Sequence, residues 1–398
     1  MLVALTYRNF RLVFAGSLTE HVGEFGEIAG VLWLVNDLTH SPLWLSIVGS
    51  CRFIPLIFFP LVGGVIADRV NRRTLLIISL LGSSLISVAL LVLSLTGLIN
   101  LPTLIIGMLL SGVAMSFNHP ARQTIVPNLV KREHLLNAIS LDTLSVQMSR
   151  AIGTPIGGYL IAFLGVWPVF AFRALGCFLA IGWLLLAHVP PTPPSTGKEA
   201  PWRNFAAGFR YIMSDTRLLI LILLYAIPYM TQNTYMNFLP MVAKDVVHVG
   251  AVGYGYLQGA PGLGALIFLV SLGLLVYYRN KFRLVIITGT IMGLAVLGIA
   301  ASTSFALSIV LLVIAGGMQA TFSAVDTTLL QSVVTDEIRG RVLSQREVLF
   351  GLGPTFSIVF GAIAQYTGVP FTLGLLGFIC LVLSLSLISL TPRFRSIG

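Results

Sequence analysis

Apolar runs recur along the whole chain, each closed by a short polar or basic connection. A helix rising 1.5 Å per residue needs about 20 apolar residues to cross about 30 Å of hydrocarbon. The pattern predicts spans at residues 11–36, 42–66, 74–96, 102–124, 138–164, 167–188, 217–239, 252–277, 284–301, 305–329, 340–364 and 370–391. The expected fold is an all-α membrane protein of twelve transmembrane helices. Basic residues mark one side. With the N-terminus inside, the inner connections hold Arg69, Arg72, Arg73, Lys131, Arg132, Lys198, Arg203, Arg210, Arg279, Lys281, Arg283 and Arg339, and the outer connections hold only Lys244. Cytoplasmic loops carry such an excess, so both termini are expected in the cytoplasm.

Composition agrees with lipid as the solvent. The chain of 398 residues is 56% hydrophobic and 10% charged, against about 25% charged in soluble domains. Its net charge of +10 lies in short clusters between apolar runs, without interleaved aromatics. Nucleic acid is therefore not an expected partner. Cys51, Cys177 and Cys380 all fall within apolar runs and form no disulfide framework or metal site. Met1 to Phe10 leads directly into the first span, which is expected to be retained. The sequence has no G-x-x-x-x-G-K-[ST] loop, no H-E-x-x-H and no cysteine–histidine cluster. No cofactor, metal or enzymatic activity is expected, and direct ATP-driven pumping is disfavoured.

The longest polar stretch runs from Pro190 to Asp215 and opens Pro-Pro-Thr-Pro-Pro, a linker composition. It divides the chain into residues 1–189, a linker at 190–216, and residues 217–398, two bundles of six helices. Trp202, Phe205, Phe209 and Tyr211 suggest that the linker ends in an interfacial amphipathic helix. The two bundles echo each other. Gly112 to Ser140 aligns with Gly316 to Ser344, with Thr124, Val130 and Glu133 matching Thr328, Val334 and Glu337, and Gly157 continuing onto Gly361. Parallel six-helix repeats place a substrate site near the membrane midplane.

After the second span comes Gly64-Val-Ile-Ala-Asp68-Arg69-Val-Asn71-Arg72-Arg73. Gly64 permits close helix approach, Asp68 can cap a helix or pair with an arginine, and the arginines hold the loop in the cytoplasm. This resembles the signature loop of the major facilitator superfamily, with Asn71 where that family has a glycine. Asparagine also tolerates a left-handed turn. The second-half copy, Gly273 to Arg283, has Tyr278 where Asp68 would fall. His119-Pro120-Ala121-Arg122, Val126-Pro127-Asn128, Leu135-Leu136-Asn137-Ala138, and Glu337-Ile338-Arg339-Gly340-Arg341 are similar to loops of the macrolide-efflux and enterobactin-exporter branch. The resemblance covers essentially the whole chain. It implies two pseudo-symmetric bundles in a bacterial-type plasma membrane. It further implies a monomer that exports drugs, siderophores or other small amphipathic compounds using protons. Gly153-Thr154-Pro155-Ile156-Gly157-Gly158 resembles a glycine–proline motif of antiporters; plain helix packing explains it equally.

Charges within the spans carry the mechanism, since each costs about 2.5–3.5 kcal/mol at a span centre. Glu20, Glu24 and Glu27 follow i, i+4, i+7 and so lie within about 60° on one helix face. Three carboxylates there cannot all ionise cheaply, and at least one is expected to bind and release a proton or a cation. The alternative is that each pairs with an arginine and never titrates. The resemblance favours Glu24. Arg52 lies near the depth of Glu24, and a pair with Glu24 or Glu27 is expected. Arg150 lies at mid-depth of the fifth span, and Arg173 in the sixth either neutralises a first-span glutamate or recognises an anionic substrate. Near the inner face, Asp68, Arg122, Asp142, Arg339, Arg346 and Glu347 read as a salt-bridged gate, with Asp326 able to double as a proton site. His21, Tyr229, Gln232 and Asn233 are candidate cavity-lining residues, while Tyr235 and Phe238 fit either an adaptable site or an interfacial belt.

The expected function is secondary active export of a small compound by alternating access, coupled to protons. Uptake or lipid flipping on the same fold, and a receptor that has lost transport, remain the alternatives.

Overall fold

The computed structural model describes residues 3–59, 71–189, 210, 211, 213, 216–272, 281–334 and 336–386. Side chains at 216, 217, 219–221, 223, 271, 272, 331–333 and 336–350 lie outside that description. Twelve α-helices occupy the described residues: α1 (Arg8–Thr39), α2 (Pro42–Cys51), α3 (Arg72–Leu95), α4 (Leu101–Ile125), α5 (Leu135–Leu164), α6 (Trp167–Leu186), α7 (Thr216–Met241), α8 (Ala251–Leu272), α9 (Lys281–Ala301), α10 (Phe305–Val333), α11 (Asp336–Thr367) and α12 (Val369–Ser386). Each overlaps one span of the sequence pattern, α2 only over the first part of 42–66. Gly64, Asp68 and Arg69 of the signature loop, and Trp202, Phe205 and Phe209 of the linker, lie outside the described residues.

Local chemistry sets the helix ends. Asn100 caps α4 in a reciprocal box with Thr103, and Pro102 enters the first turn, where its missing N–H is harmless. Asn71 caps α3, its side chain accepting from Arg73 N at 2.9 Å. Its φ is −56°, so the left-handed conformation that asparagine tolerates is not used there. Arg73 then reaches the far end of α6, donating to the carbonyls of Leu184 (3.1 Å) and Leu185 (2.9 Å). A cation on those last carbonyls matches the negative end of the helix dipole. Helix α2 breaks into a turn at residues 52–54 and is helical again over 55–59. Pro55 explains the break, since it has no N–H to give and its ring crowds the preceding turn.

Contacts divide the chain into two compact units, Met1–Thr39 with Val48–Pro201 and His40–Ile47 with Trp202–Gly398. In the first, α1 packs on α5 and α6, and α3 packs on α4 and α6. In the second, α7 packs on α11, and α9 packs on α10 and α12. The pairings repeat, and one contact repeats atom for atom in kind. A Cβ on Gly112 of α4 would stand 2.2 Å from the Arg52 carbonyl oxygen, and one on Gly316 of α10 would stand 2.3 Å from the Pro261 backbone in α8. Both helices approach so closely that only hydrogen fits. The register does not extend to the next pair: Gly157 packs on Gly26, whereas Gly361 packs on Ser46.

Among the described residues, seven segments are long and apolar enough to span a bilayer on composition alone, including Pro42–Phe59, Arg72–Leu95 and Lys281–Ala301. Leu85, Leu136 and Phe163 are among the large apolar side chains left exposed on the helix flanks, as a lipid solvent allows. Tyr235 and Phe238 are wholly buried, which corrects the interfacial-belt reading of that pair.

Replacing Gly112 with valine should lower the unfolding temperature in detergent, because overpacking costs about 1–3 kcal/mol. Gly82→Ala is the control. Its Cβ meets nothing within 4 Å, so its unfolding temperature should be unchanged or raised.

Candidate functional site

The carboxylate stripe of α1 faces into the first unit, and three other helices each send one arginine to it. The Arg52 guanidinium pairs with Glu24. Arg122 of α4 pairs with Glu20. Arg173 of α6 lies between the other two acids, 3.7 Å from a Glu20 carboxylate oxygen and 3.8 Å from one of Glu27. It is anchored by donating from Nη1 to the Glu20 backbone carbonyl at 2.7 Å. Three acids thus meet three bases. Glu20, Glu27, Arg52, Arg122 and Arg173 are all buried, so each charge depends on its neighbours rather than on water.

Two neutral groups complete the network. Asn118 Nδ2 donates to Glu20 Oε1 at 3.0 Å. Ser87 Oγ of α3 donates to Glu27 Oε1 at 2.6 Å. The sequence reading missed both. A signal was present: Asn118 precedes Arg122 by one helical turn, and Ser87 belongs to the buried series Ser79, Ser83, Ser84 and Ser87 on α3.

Other predicted residues are placed differently. Arg122, expected in an inner gate with Asp68, lies against Glu20 and against His21, whose ring nitrogens are 2.9 and 3.1 Å from Nη1, while Asp68 falls outside the described residues. Asp142 of α5 is among the charges that act on His21. Arg150 stands over the Phe25 ring, 4.9 Å from its centroid, a cation–π contact. Arg72 is half-buried at the start of α3. Asp326, buried in α10, belongs to the second unit. In that unit Tyr229 stacks on Tyr225 with centroids 5.7 Å apart. Gln232 is buried, and Asn233 donates its amide to the Tyr229 carbonyl at 2.8 Å. Arg339 and Arg346 lie in α11, with side chains outside the described residues.

Close packing makes the network possible. A Cβ on Gly153 would fall 2.3 Å from the Val22 carbonyl. The glycine motif of α5 therefore has a sufficient role in seating α5 against α1. A cavity of about 10 Å³, lined by Ser17, Glu20, Leu76, Leu80 and Arg122 among others, adjoins the Glu20–Arg122 pair. Among the described residues no cluster of His, Cys, Asp and Glu is suited to a metal ion.

Comparison with known proteins follows the same outline. Residues 2–397 match a family model described as transmembrane secretion effector. The staphyloferrin A transporter of Staphylococcus aureus is 24% identical over 367 residues, covering 92% of this chain and 91% of that protein. The enterobactin exporter EntS of Shigella boydii is 28% identical over 348 residues, covering 85% and 80%. Among solved structures, a POT family transporter in complex with a thioalcohol-conjugated peptide aligns with a TM-score of 0.79 at 16% identity, covering 98% of this chain and 97% of that one. The nucleoside transporter NupG aligns at 0.70 with 14% identity, covering 98% and 99%. At those identities the structural likeness speaks to the fold.

Arg122→Met should strand the buried Glu20 charge and destabilise the protein by about 3–5 kcal/mol. Glu20→Gln in the same chain should recover most of that loss. A double-mutant cycle on thermal unfolding measures the coupling.

Proposed function

Because the chain belongs to the transmembrane secretion effector family of major facilitator transporters, and so is an integral membrane protein that moves small molecules by secondary transport, we propose that it is a proton-coupled exporter of a small amphipathic compound. The compound is of the drug, siderophore or metabolite class, and transport proceeds by alternating access. The protein works as a monomer in a bacterial inner membrane with both termini cytoplasmic. Residues 190–216 link its two bundles, and it needs neither nucleic acid nor a cofactor.

The observation that supports this reading is the network of three carboxylates, Glu20 and Glu27 buried and Glu24 largely so, with three guanidiniums from the turn after α2, from α4 and from α6. Charges inside spans are costly even when paired, so ones that are kept there mark a functional site by default. A carboxylate held among movable counter-charges takes up a proton when its surroundings open to one side and releases it on the other. One proton crossing 100 mV releases about 2.3 kcal/mol. That sustains roughly a fiftyfold gradient of a neutral solute, since 1.4 kcal/mol is tenfold. The names of the two relatives make enterobactin and staphyloferrin A the first compounds to try.

Reconstitution into sided proteoliposomes tests the reading. Efflux from the cytoplasmic side should accelerate when the opposite side is acidified and should stop when a protonophore is added. Flux indifferent to the proton gradient would overturn the coupling. Flux driven only in the reverse direction would make the protein an importer.

A further inference from the structure

The three carboxylates are not equivalent, and their surroundings separate the proton carrier from the structural members. Glu24 has Arg52 as its direct partner. Arg52 is buried, and its Nε and Nη1 have no hydrogen-bond partner among the described residues. Neutralising Glu24 would remove the carboxylate directly paired with that guanidinium. Glu20 is held by Arg122, Asn118 and Arg173 together. Neutralising it would strand Arg122, whose Nε is likewise unpartnered among the described residues.

Glu27 differs in both respects. It is 1% exposed. Its nearest cation is Arg173, 3.8 Å away and shared with Glu20. If Glu27 becomes neutral, Arg173 keeps its bond to the Glu20 carbonyl and its place beside the Glu20 carboxylate. No charge is left alone. Other groups that bear on Glu27 include Arg52 from the turn after α2 and Glu24 on its own helix, with Ser87 as donor from α3. The Arg150 of α5 is turned to the Phe25 ring.

Ser87 suits both states. A hydroxyl carries one donor and two acceptor lone pairs. It donates to the carboxylate at 2.6 Å and, rotated, accepts from the protonated acid. Ser79 and Ser116 bond back to carbonyls of their own helices, so a span serine aimed at another helix's carboxylate is a committed group.

We propose that Glu27, rather than Glu24, carries the coupling proton, with Ser87 as the residue that positions it in both protonation states. A proton from water on the outer side adds to a Glu27 carboxylate oxygen and cancels its charge. It returns to water on the cytoplasmic side after the conformational change, and no electron is exchanged. The inference rests on the proton-coupled reading of the protein.

Proteoliposomes carrying the wild-type chain, Glu27→Gln, Glu24→Gln, Ser87→Ala and Ser87→Thr distinguish the outcomes, with enterobactin and staphyloferrin A as probes. Glu27→Gln should lose proton-driven export by roughly tenfold or more, a barrier of about 1.4 kcal/mol, yet retain counterflow exchange, which needs no net proton movement. Ser87→Ala should move the midpoint of the pH profile by about one unit toward higher pH. The hydroxyl's bond to the charged carboxylate is the stronger of its two, so losing it favours the neutral form. Ser87→Thr should restore the profile, and this pair carries the test if Glu27→Gln does not fold. Proton-driven export that survives Glu27→Gln, or that is lost in Glu24→Gln alone, overturns the inference while the functional reading stands. A wild-type protein with no proton coupling fails both.

Discussion

A charge inside a helical bundle has no water to turn to, so it must be met by an opposite charge from another helix. That constraint organises the first unit. Helix α1 carries three carboxylates in its middle, with Asp37 near its far end, and is absent from the described segments apolar enough to span a bilayer on composition alone. What keeps it in the bundle is the set of arginines that α2, α4 and α6 bring to it. Breaking one pair in such a setting costs more than the pair contributes, because the survivor stays buried. The network therefore fixes how α1 sits against its neighbours as much as it supplies chemistry.

Electrostatics and close packing depend on each other here. Arg52 lies in the turn that Pro55 imposes on α2, and its carbonyl rests where Gly112 leaves room. A larger residue at 112 would push that turn away and with it the partner of Glu24. On the opposite flank, Gly153 lets α5 touch the α1 backbone at Val22, between Glu20 and Glu24. The glycines bear no charge, yet they set the distances over which the charges act.

The spans were legible because hydrocarbon thickness imposes a length and a composition that survive in a single sequence. The acidic stripe was legible too, since spacing along one helix fixes direction around it. Partnership between helices was not. Nothing in the sequence states which way α4 turns, and the pairing of Arg122 with Glu20 could not be read from it. The capping role of Asn71 was likewise not read from the sequence. Ser87 and Asn118 escaped notice because a polar side chain in an apolar span ordinarily satisfies itself on its own backbone, as Ser116 does. Only geometry reveals the exceptions.

The Gly112 and Gly316 contacts bear on how such a molecule can change over time. In the first unit the glycine contact seats the backbone of Arg52, the partner of Glu24, while the matching contact in the second has Gly316 against Pro261. What the two duplicated bundles have kept in common at this point is the lack of a side chain. A scaffold preserved in that way leaves its polar residues free to diverge, so one copy can specialise in handling charge while the other is reshaped for a new cargo.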